Sequence, residues 1–339
     1  MKKLFIFLFF ILPISLVLSA CSDDVNETDE QETQLTIYTT VFPLQYFTEQ
    51  IGGEFVDVKT IYPPGSDEHT FEPSQKDMIK LADSDLFFYI GLGLEGFVEK
   101  AKSSLKNENV TMLPVADHLH LEESGDHAEE EHADDHANEA HDDHADEAHD
   151  DHANEAHEDE EHSHGDINPH VWLDPIYSKE IAAEIKEALI KKMPENEAFF
   201  NENYLELAQQ LDDLHAEFKE TISSAKHKNI IVTHAAFGYW ETRYGIEQIS
   251  ISGLSTSNEP TQRELEKIIS FADHEGLHFI LFEQNVQSKL AEIVQKEIGA
   301  RALPVHNLAI LTEENIKNKE SYFSLMNQNL ETLKIALNN

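Results

Sequence analysis

The stretch ENEAFFNENYLELAQQLDDLHAEFKETISS, residues 195–224, is an uninterrupted amphipathic pattern inside a chain of 339 residues. Phe200, Tyr204, Leu207, Leu211, Leu214, Phe218 and then Thr221 or Ile222 follow a 4-3-4-3 spacing, which places them on one face of an α-helix. A coiled coil would need partner helices and usually runs longer, so the stripe predicts a helix lying across the back of a two-part protein with its apolar face in the core. On the N-terminal side, apolar runs at 35–42, 55–62, 85–90 and 110–115 predict strands, and 43–51, 75–82 and 95–105 predict helices. Ser74 with Asp77 marks a helix start, Gly91 and Gly93 punctuate the exit of the third strand, and Asp174-Pro175 reads as N-cap and N1 of a helix running to about 193. On the C-terminal side, strands at 229–234, 247–254, 277–283 and 300–305 alternate with helices at 261–274, 288–298 and 321–337, and Thr261 with Glu264 matches a capping box. Such alternation builds βα units around a mostly parallel sheet. The expected fold is therefore α/β: two lobes, each a mostly parallel sheet flanked by helices, joined by one long rigid helix. The lobes are expected at 35–194 and 226–339, with the linking helix at 195–225.

The N-terminus carries an address. Lys2 and Lys3 precede an apolar core from Leu4 to Leu18, and Leu18-Ser19-Ala20-Cys21 has the form of a lipobox. The core is shorter than the roughly 20 residues of a membrane span and reads as a cleavable signal, residues 1–20. Cys21 is the single cysteine of the chain, so it cannot form an internal disulfide; lipidation of the mature N-terminus accounts for it, with residues 21–34 as a polar, acidic tether.

Between the fourth strand and Asp174 lies a segment unlike the rest. From His118 to Asp166 there are 12 histidines, 21 acidic residues and no Lys or Arg, and an eight-residue unit recurs as DDHANEAH from Asp134, DDHADEAH from Asp142 and DDHANEAH from Asp150. With almost no large apolar side chains, the insertion at 117–166 cannot bury a core and is expected to stay disordered or to order only around metal. Imidazole and carboxylate at this density suit zinc and other borderline-soft ions, so His127, His132, His136, His141, His144, His149, His152, His157, His162 and His164 are expected to collect metal at low affinity. The segment holds half of the net charge of -42, and the remainder of the chain is also acidic, which argues against nucleic acid and anionic lipid surfaces as partners. About 255 residues remain outside signal, tether and insertion, enough for two lobes with real cores.

Ligands of open α/β sheets bind beyond the carboxyl ends of the strands. Three histidines outside the repeats fall there: His69 after the second strand, His170 once the insertion is skipped, and His234 at the end of the first strand of the second half. His215, His227, His274, His278 and His306 fit that position less well. Three neutral imidazoles suit zinc and leave a fourth position open. Water, Glu68, Glu283 or a side chain of the insertion could fill it, with Glu283, at a strand end, at least as well placed to hydrogen-bond a ligand imidazole. Phe71, Phe237, Tyr239 and Trp240 are expected either to wall the site or to join the core.

The lipobox, PPGSDEHTFEPS at 63–74, the His/acid insertion, NPHVWLDP at 168–175 and VTHAAFGYW at 232–240 together resemble the zinc-binding lipoproteins that serve ABC uptake transporters, within the metal-binding lipoprotein and adhesin family. The resemblance covers essentially the whole mature chain. It implies two α/β lobes joined by a long helix, Zn2+ as the transported ligand, and His69, His170 and His234 as its ligands; manganese-binding relatives have a carboxylate where His234 stands. Some relatives supply a further carboxylate from a segment similar to HNLAILTEEN at 306–315, and Ala309 stands at that place here, which leaves the fourth position to water, Glu68, Glu283 or a side chain of the insertion.

The function expected is capture of zinc on the extracellular face of the membrane by a lipid-anchored monomer and delivery to the permease and ATPase of an ABC transporter. A surface metal buffer or adhesin acting through the His-rich segment is the alternative. A zinc hydrolase is a further one, but HExxH and GxSxG motifs are absent and no enzyme is expected.

Overall fold

The computed structural model describes residues 34–121, 167–258, 260–284 and 288–339. The signal, the tether up to residue 33 and the insertion from 122 to 166 lie outside the described residues.

Two sheets of four parallel strands form the two lobes, and each has the same order. In the first, β2 (Val56–Thr60), β1 (Leu35–Thr39), β3 (Leu86–Tyr89) and β4 (Thr111–Pro114) lie side by side. In the second, the order is β6 (Glu247–Ser252), β5 (Asn229–His234), β7 (Phe279–Glu283) and β8 (Arg301–Val305). Strands covered by helices on both faces read as near-continuous apolar runs, and LFFY in β3 and IIVT within β5 are buried throughout. The connection reverses direction between β1 and β3 and again between β5 and β7, so each lobe has its switch point there.

Helices α1 (Phe42–Gly52), α2 (Gln75–Ala82) and α3 (Val98–Leu105) belong to the first lobe, followed by α4 (Pro175–Lys192) after a 3₁₀ turn at Val171–Leu173. The long helix α5 (Glu197–Ser223) is entered through a further 3₁₀ turn at Pro194–Asn196. Its stripe is buried at Phe200, Leu207, Leu211, Leu214, Phe218 and Ile222, so Ile222 rather than Thr221 completes it, while Tyr204 is half-buried. In the second lobe follow α6 (Gly238–Tyr244), α7 (Gln262–Glu275), α8 (Lys289–Glu297), α9 (Glu313–Asn318) and α10 (Tyr322–Ala336). Local chemistry sets several of their boundaries. Ser74 with Asp77 and Thr261 with Glu264 form reciprocal capping boxes, and the Asp174 side chain accepts from Ile176 N ahead of Pro175.

The first strand is shorter than expected. Pro43, with φ fixed and no N–H to leave unpaired, suits a first helical turn, and Phe42 N donates instead to Ala309 O of the second lobe at 2.8 Å, so the chain turns into α1 at Phe42. The short helices α6 and α9 were not expected. Their apolar periodicity spans fewer than two turns, too little to separate from a loop.

A single apolar core runs from Ile37, Phe87 and Phe88 of the first sheet through Ile185, Phe200 and Leu211 to Phe237, Trp240, Leu281 and Leu333 of the second lobe. A smaller cluster lies apart from it on one face of the second sheet, where Ile268 and Ala272 of α7 and Ala291 and Val294 of α8 meet Ile231, Ile251, Leu277 and Ile280.

Candidate metal centre

The carboxyl ends of the two sheets face a common cleft, and four side chains converge there. Glu68, His69, His170 and His234 each present a ligand atom, and these atoms all lie within 4.8 Å of one another. His69 and Glu68 come from the loop after β2. His170 precedes the 3₁₀ turn leading to α4, and His234 is the last residue of β5.

The register of the second sheet explains the orientation of His234. Val232 aligns with Leu281 across β5 and β7, so His234 and Glu283 end their strands side by side at the switch point. His234 Nδ1 donates to Glu283 Oε1 at 2.5 Å, and Thr233 Oγ1 donates to the same oxygen at 2.7 Å. Glu283 therefore grips the ring nitrogen opposite the one that enters the cluster. His170 is held in a similar way by a neutral partner, Nδ1 donating to Asn168 Oδ1 at 2.8 Å, while its own backbone N–H donates to that oxygen at 3.0 Å. Both rings then turn Nε2 inward, and the two Nε2 atoms stand 3.3 Å apart. His69 completes the triangle, with ring centroids 5.2 Å from His170 and 6.0 Å from His234, and its buried Nε2 has no hydrogen-bond partner. Three imidazoles with lone pairs aimed at one point match the donor set of a zinc site.

Charge is distributed unevenly over this group. Burial and the neighbouring His234 hold His69 down to about 4, and burial together with His234 and His69 pushes His170 well below the ordinary imidazole range. Burial also works against a proton on His234, but the Glu283 carboxylate, through its charge and its hydrogen bond, raises that ring above the ordinary value. Glu68 is pushed up to about 7 by burial. Its Oε1 accepts from Asn307 Nδ2 at 2.9 Å and lies 4.0 Å from His69 Nε2.

The segment 168–174 is a seam between the lobes. Asn168 Nδ2 donates to Ala235 O at 3.2 Å, Tyr239 Oη to Asn168 O at 2.5 Å, Trp172 Nε1 to Asn307 O at 2.6 Å and Trp240 Nε1 to Leu173 O at 2.8 Å. Arg243 Nε donates to Asp174 Oδ2 at 2.6 Å. His170 and His234 are consequently fully buried, whereas the His69 side chain keeps 10% of its exposure. The aromatic residues near the cluster serve the scaffold. Phe71 packs edge-on against Tyr62, Phe237 and Trp240 pack on each other, and Tyr239 spends its hydroxyl on Asn168.

Ala309 is buried, carries no ligand atom, and lines a cavity of about 310 Å³ with Phe42, Thr60 and Pro64. Its neighbour Leu308 adopts φ +60, and this left-handed turn directs the Asn307 amide to Glu68 while Asn307 Oδ1 accepts from Ala309 N. Of the remaining histidines, His306 is buried with both ring nitrogens engaged, and His215 hydrogen-bonds Tyr244. Cys21 and the ten histidines from His127 to His164 lie outside the described residues. The local signal for Asn168 and Thr233 is a hydrogen-bonding residue one or two positions before the histidine, in NPH and VTH, and Asn307 has none.

Two parallel-stranded lobes, a long helix between them and a buried histidine cluster at their junction define a protein built around a metal-sized site. The family model "Zinc-uptake complex component A periplasmic" matches residues 37–336, and the chain belongs to that ZnuA family. The chain is 31% identical over 332 residues to the high-affinity zinc uptake system protein ZnuA of Bacillus subtilis, covering 97% of both chains. It is 33% identical over 305 residues to the zinc-binding protein AdcA of Streptococcus pyogenes, covering 90% of this chain and 56% of that one, so it spans little more than half of that relative's length. Among solved structures, the Zn(II)-bound ZnuA-like domain of Streptococcus pneumoniae AdcA superimposes with a TM-score of 0.69 at 28% identity, over 90% of this chain and all of that one. The family is one of zinc-uptake components rather than of enzymes.

Proposed function

We propose that this chain is the zinc-capturing component of an ABC uptake system, lipidated at Cys21 and held as a monomer at the extracellular face of the membrane. In this reading His69, His170 and His234 ligate one Zn2+ between the lobes through Nε2, and Glu68 supplies the fourth ligand. The observation that carries it is the convergence of three imidazoles and a carboxylate within 4.8 Å from both lobes. Glu283 and Asn168 act as positioning residues, fixing the tautomers of His234 and His170. The acidic histidine segment collects ions at lower affinity, because flexible ligands lose more entropy on binding than preformed ones. Closure of the lobes around the ion, through small motions, presents the surface that the permease reads.

Zinc competition on the purified protein tests the assignment. Zinc sites worth roughly 10–16 kcal/mol and shared over three or four ligands make each worth about 3–4 kcal/mol, a few hundredfold in affinity. His170→Ala and His234→Ala are each expected to weaken binding by about that factor, and a loss under tenfold would reject the site. Deleting residues 118–166 is expected to leave one tight zinc and to remove only weaker binding; loss of the tight site would mean the segment supplies an essential ligand.

A further inference from the structure

The loop that carries Glu68 and His69 is tied to the second lobe on both sides of the candidate metal position. Within the loop, Asp67 Oδ1 accepts from His69 N at 2.9 Å and Thr70 N at 3.1 Å, and Phe71 N donates to Asp67 O at 3.1 Å, so residues 67–71 form one compact turn. Phe71, packed against Tyr62 and Phe97, anchors that turn in the first lobe. Two side chains leave it in the other direction. Asp67 Oδ2 accepts from Thr256 Oγ1 at 2.7 Å, and Glu68 Oε1 accepts from Asn307 Nδ2 at 2.9 Å.

Thr256 sits in a turn closed by Gly253 N donating to Asn258 O, and Gly253 O accepts from Ala235 N, the residue after His234. The loop bearing His69 is thus joined through Thr256 to the strand end bearing His234. His170 and His234 are fully buried and fixed by Asn168 and Glu283, whereas His69 lies at the least buried corner and its Nε2 has no hydrogen-bond partner. The least buried corner of the site is therefore the His69 loop, and the hydrogen bonds from Thr256 and Asn307 tie that loop to the second lobe.

We propose that Thr256 and Asn307 are positioning residues that latch the His69 loop across the cleft and set how long a captured ion is retained. The proposal rests on the zinc-site reading above. Thr256 is the cleaner probe, because its side chain makes this one bond to the loop and touches no candidate ligand, whereas Asn307 also supports Ala309 and Trp172. A hydrogen bond to a charged acceptor is worth about 1.5–3 kcal/mol, which corresponds to a release rate on the order of ten- to a hundredfold faster when it is lost.

The test mixes the zinc-loaded full chain with excess chelating dye in a stopped-flow instrument and reads release directly. Thr256→Val keeps the shape and removes the hydroxyl; Thr256→Ser keeps the hydroxyl. Release at least about tenfold faster in the valine variant, association within twofold of the parent and recovery of slow release in the serine variant are expected. Release from the valine variant within twofold of the parent, or equal acceleration in both variants, overturns the latch. A parent that holds no single tight zinc would overturn the site reading and the latch with it, so the two failures are distinguishable.

Discussion

At the residue scale the cluster is a set of compromises between protons and metal. His69 and His170 are held neutral by burial, so protons do not compete for them near neutral pH, whereas His234, raised by Glu283 against the effect of its own burial, keeps a proton to higher pH. Zinc binding is therefore expected to weaken as pH falls through neutrality, by about tenfold per pH unit for each proton displaced, one from His234 and a second from Glu68 as the fourth ligand; titration of affinity against pH measures it, and a flat profile from pH 8 to pH 6 would contradict the arrangement. Glu68 works in the opposite sense on the fold. A carboxyl whose pKa is 4.5 in the unfolded chain and about 7 in the folded one binds more protons when folded, so its contribution to stability is present below pH 4.5 and is lost as pH rises through 7. Glu68→Gln retains an acceptor for Asn307 and removes the buried charge. It is expected to raise the stability of the zinc-free protein at pH 8 by up to about 3 kcal/mol, to change it little at pH 4, and to weaken zinc binding at least about tenfold. Urea midpoints at the two pH values and a zinc competition curve check the three effects, and unchanged zinc affinity would remove Glu68 from the proposed ligand set. The convergence of His69, His170 and His234 was legible because strand ends are set by local apolar runs. Their supports were not: Asp67 and Thr256 are 189 residues apart and Glu68 and Asn307 239 apart, and no local pattern encodes such pairs.

At the element scale, periodicity and capping carried most of the fold. The stripe of α5, the strands with continuous apolar runs and the capping boxes at Ser74 and Thr261 are each determined within a few residues, so the sequence states them directly. Strand β1 ends at Thr39 rather than at residue 42, where Pro43 opens α1 and Phe42 N bonds Ala309 O of the other lobe, a partner that no local pattern encodes. Helices α6 and α9 are stabilised by what they pack on rather than by their own pattern. Elements also differ in how firmly they are held. Helices α7 and α8 cover only the smaller cluster on one face of the second sheet, whereas α4 and α5 bury Ile181, Ile185, Phe200 and Leu211 in the main core. Native-state hydrogen exchange is expected to show α7 and α8 opening at lower free energy than α5, by about 1–3 kcal/mol, as a separate cooperative unit. Equal protection in the two sets would mean that the smaller cluster is not independent.

At the scale of the whole molecule, the two sheets share one main core, with the smaller cluster under α7 and α8 beside it. The helix between them contributes to both sides of one apolar interior, and the seam at 168–174 adds hydrogen bonds across the junction. Substantial independent rotation of the lobes would tear that interior, which agrees with release governed by one loop. The insertion occupies a particular place in this arrangement. It interrupts the chain after β4, so that everything before residue 122 contains the whole first sheet while everything after 166 contains α4, α5 and the second lobe. A protease cut between 122 and 166 would sever the backbone without removing any described hydrogen bond or packed side chain. The two pieces are expected to run as two bands on a denaturing gel, to elute as a single species under native conditions, and to hold one zinc ion together; separation into free fragments would show that the shared interior is too weak to join them. Covalent continuity and structural unity are distinct properties, and the interior shared by residues before 122 and after 166 is what would keep the second when the first is lost.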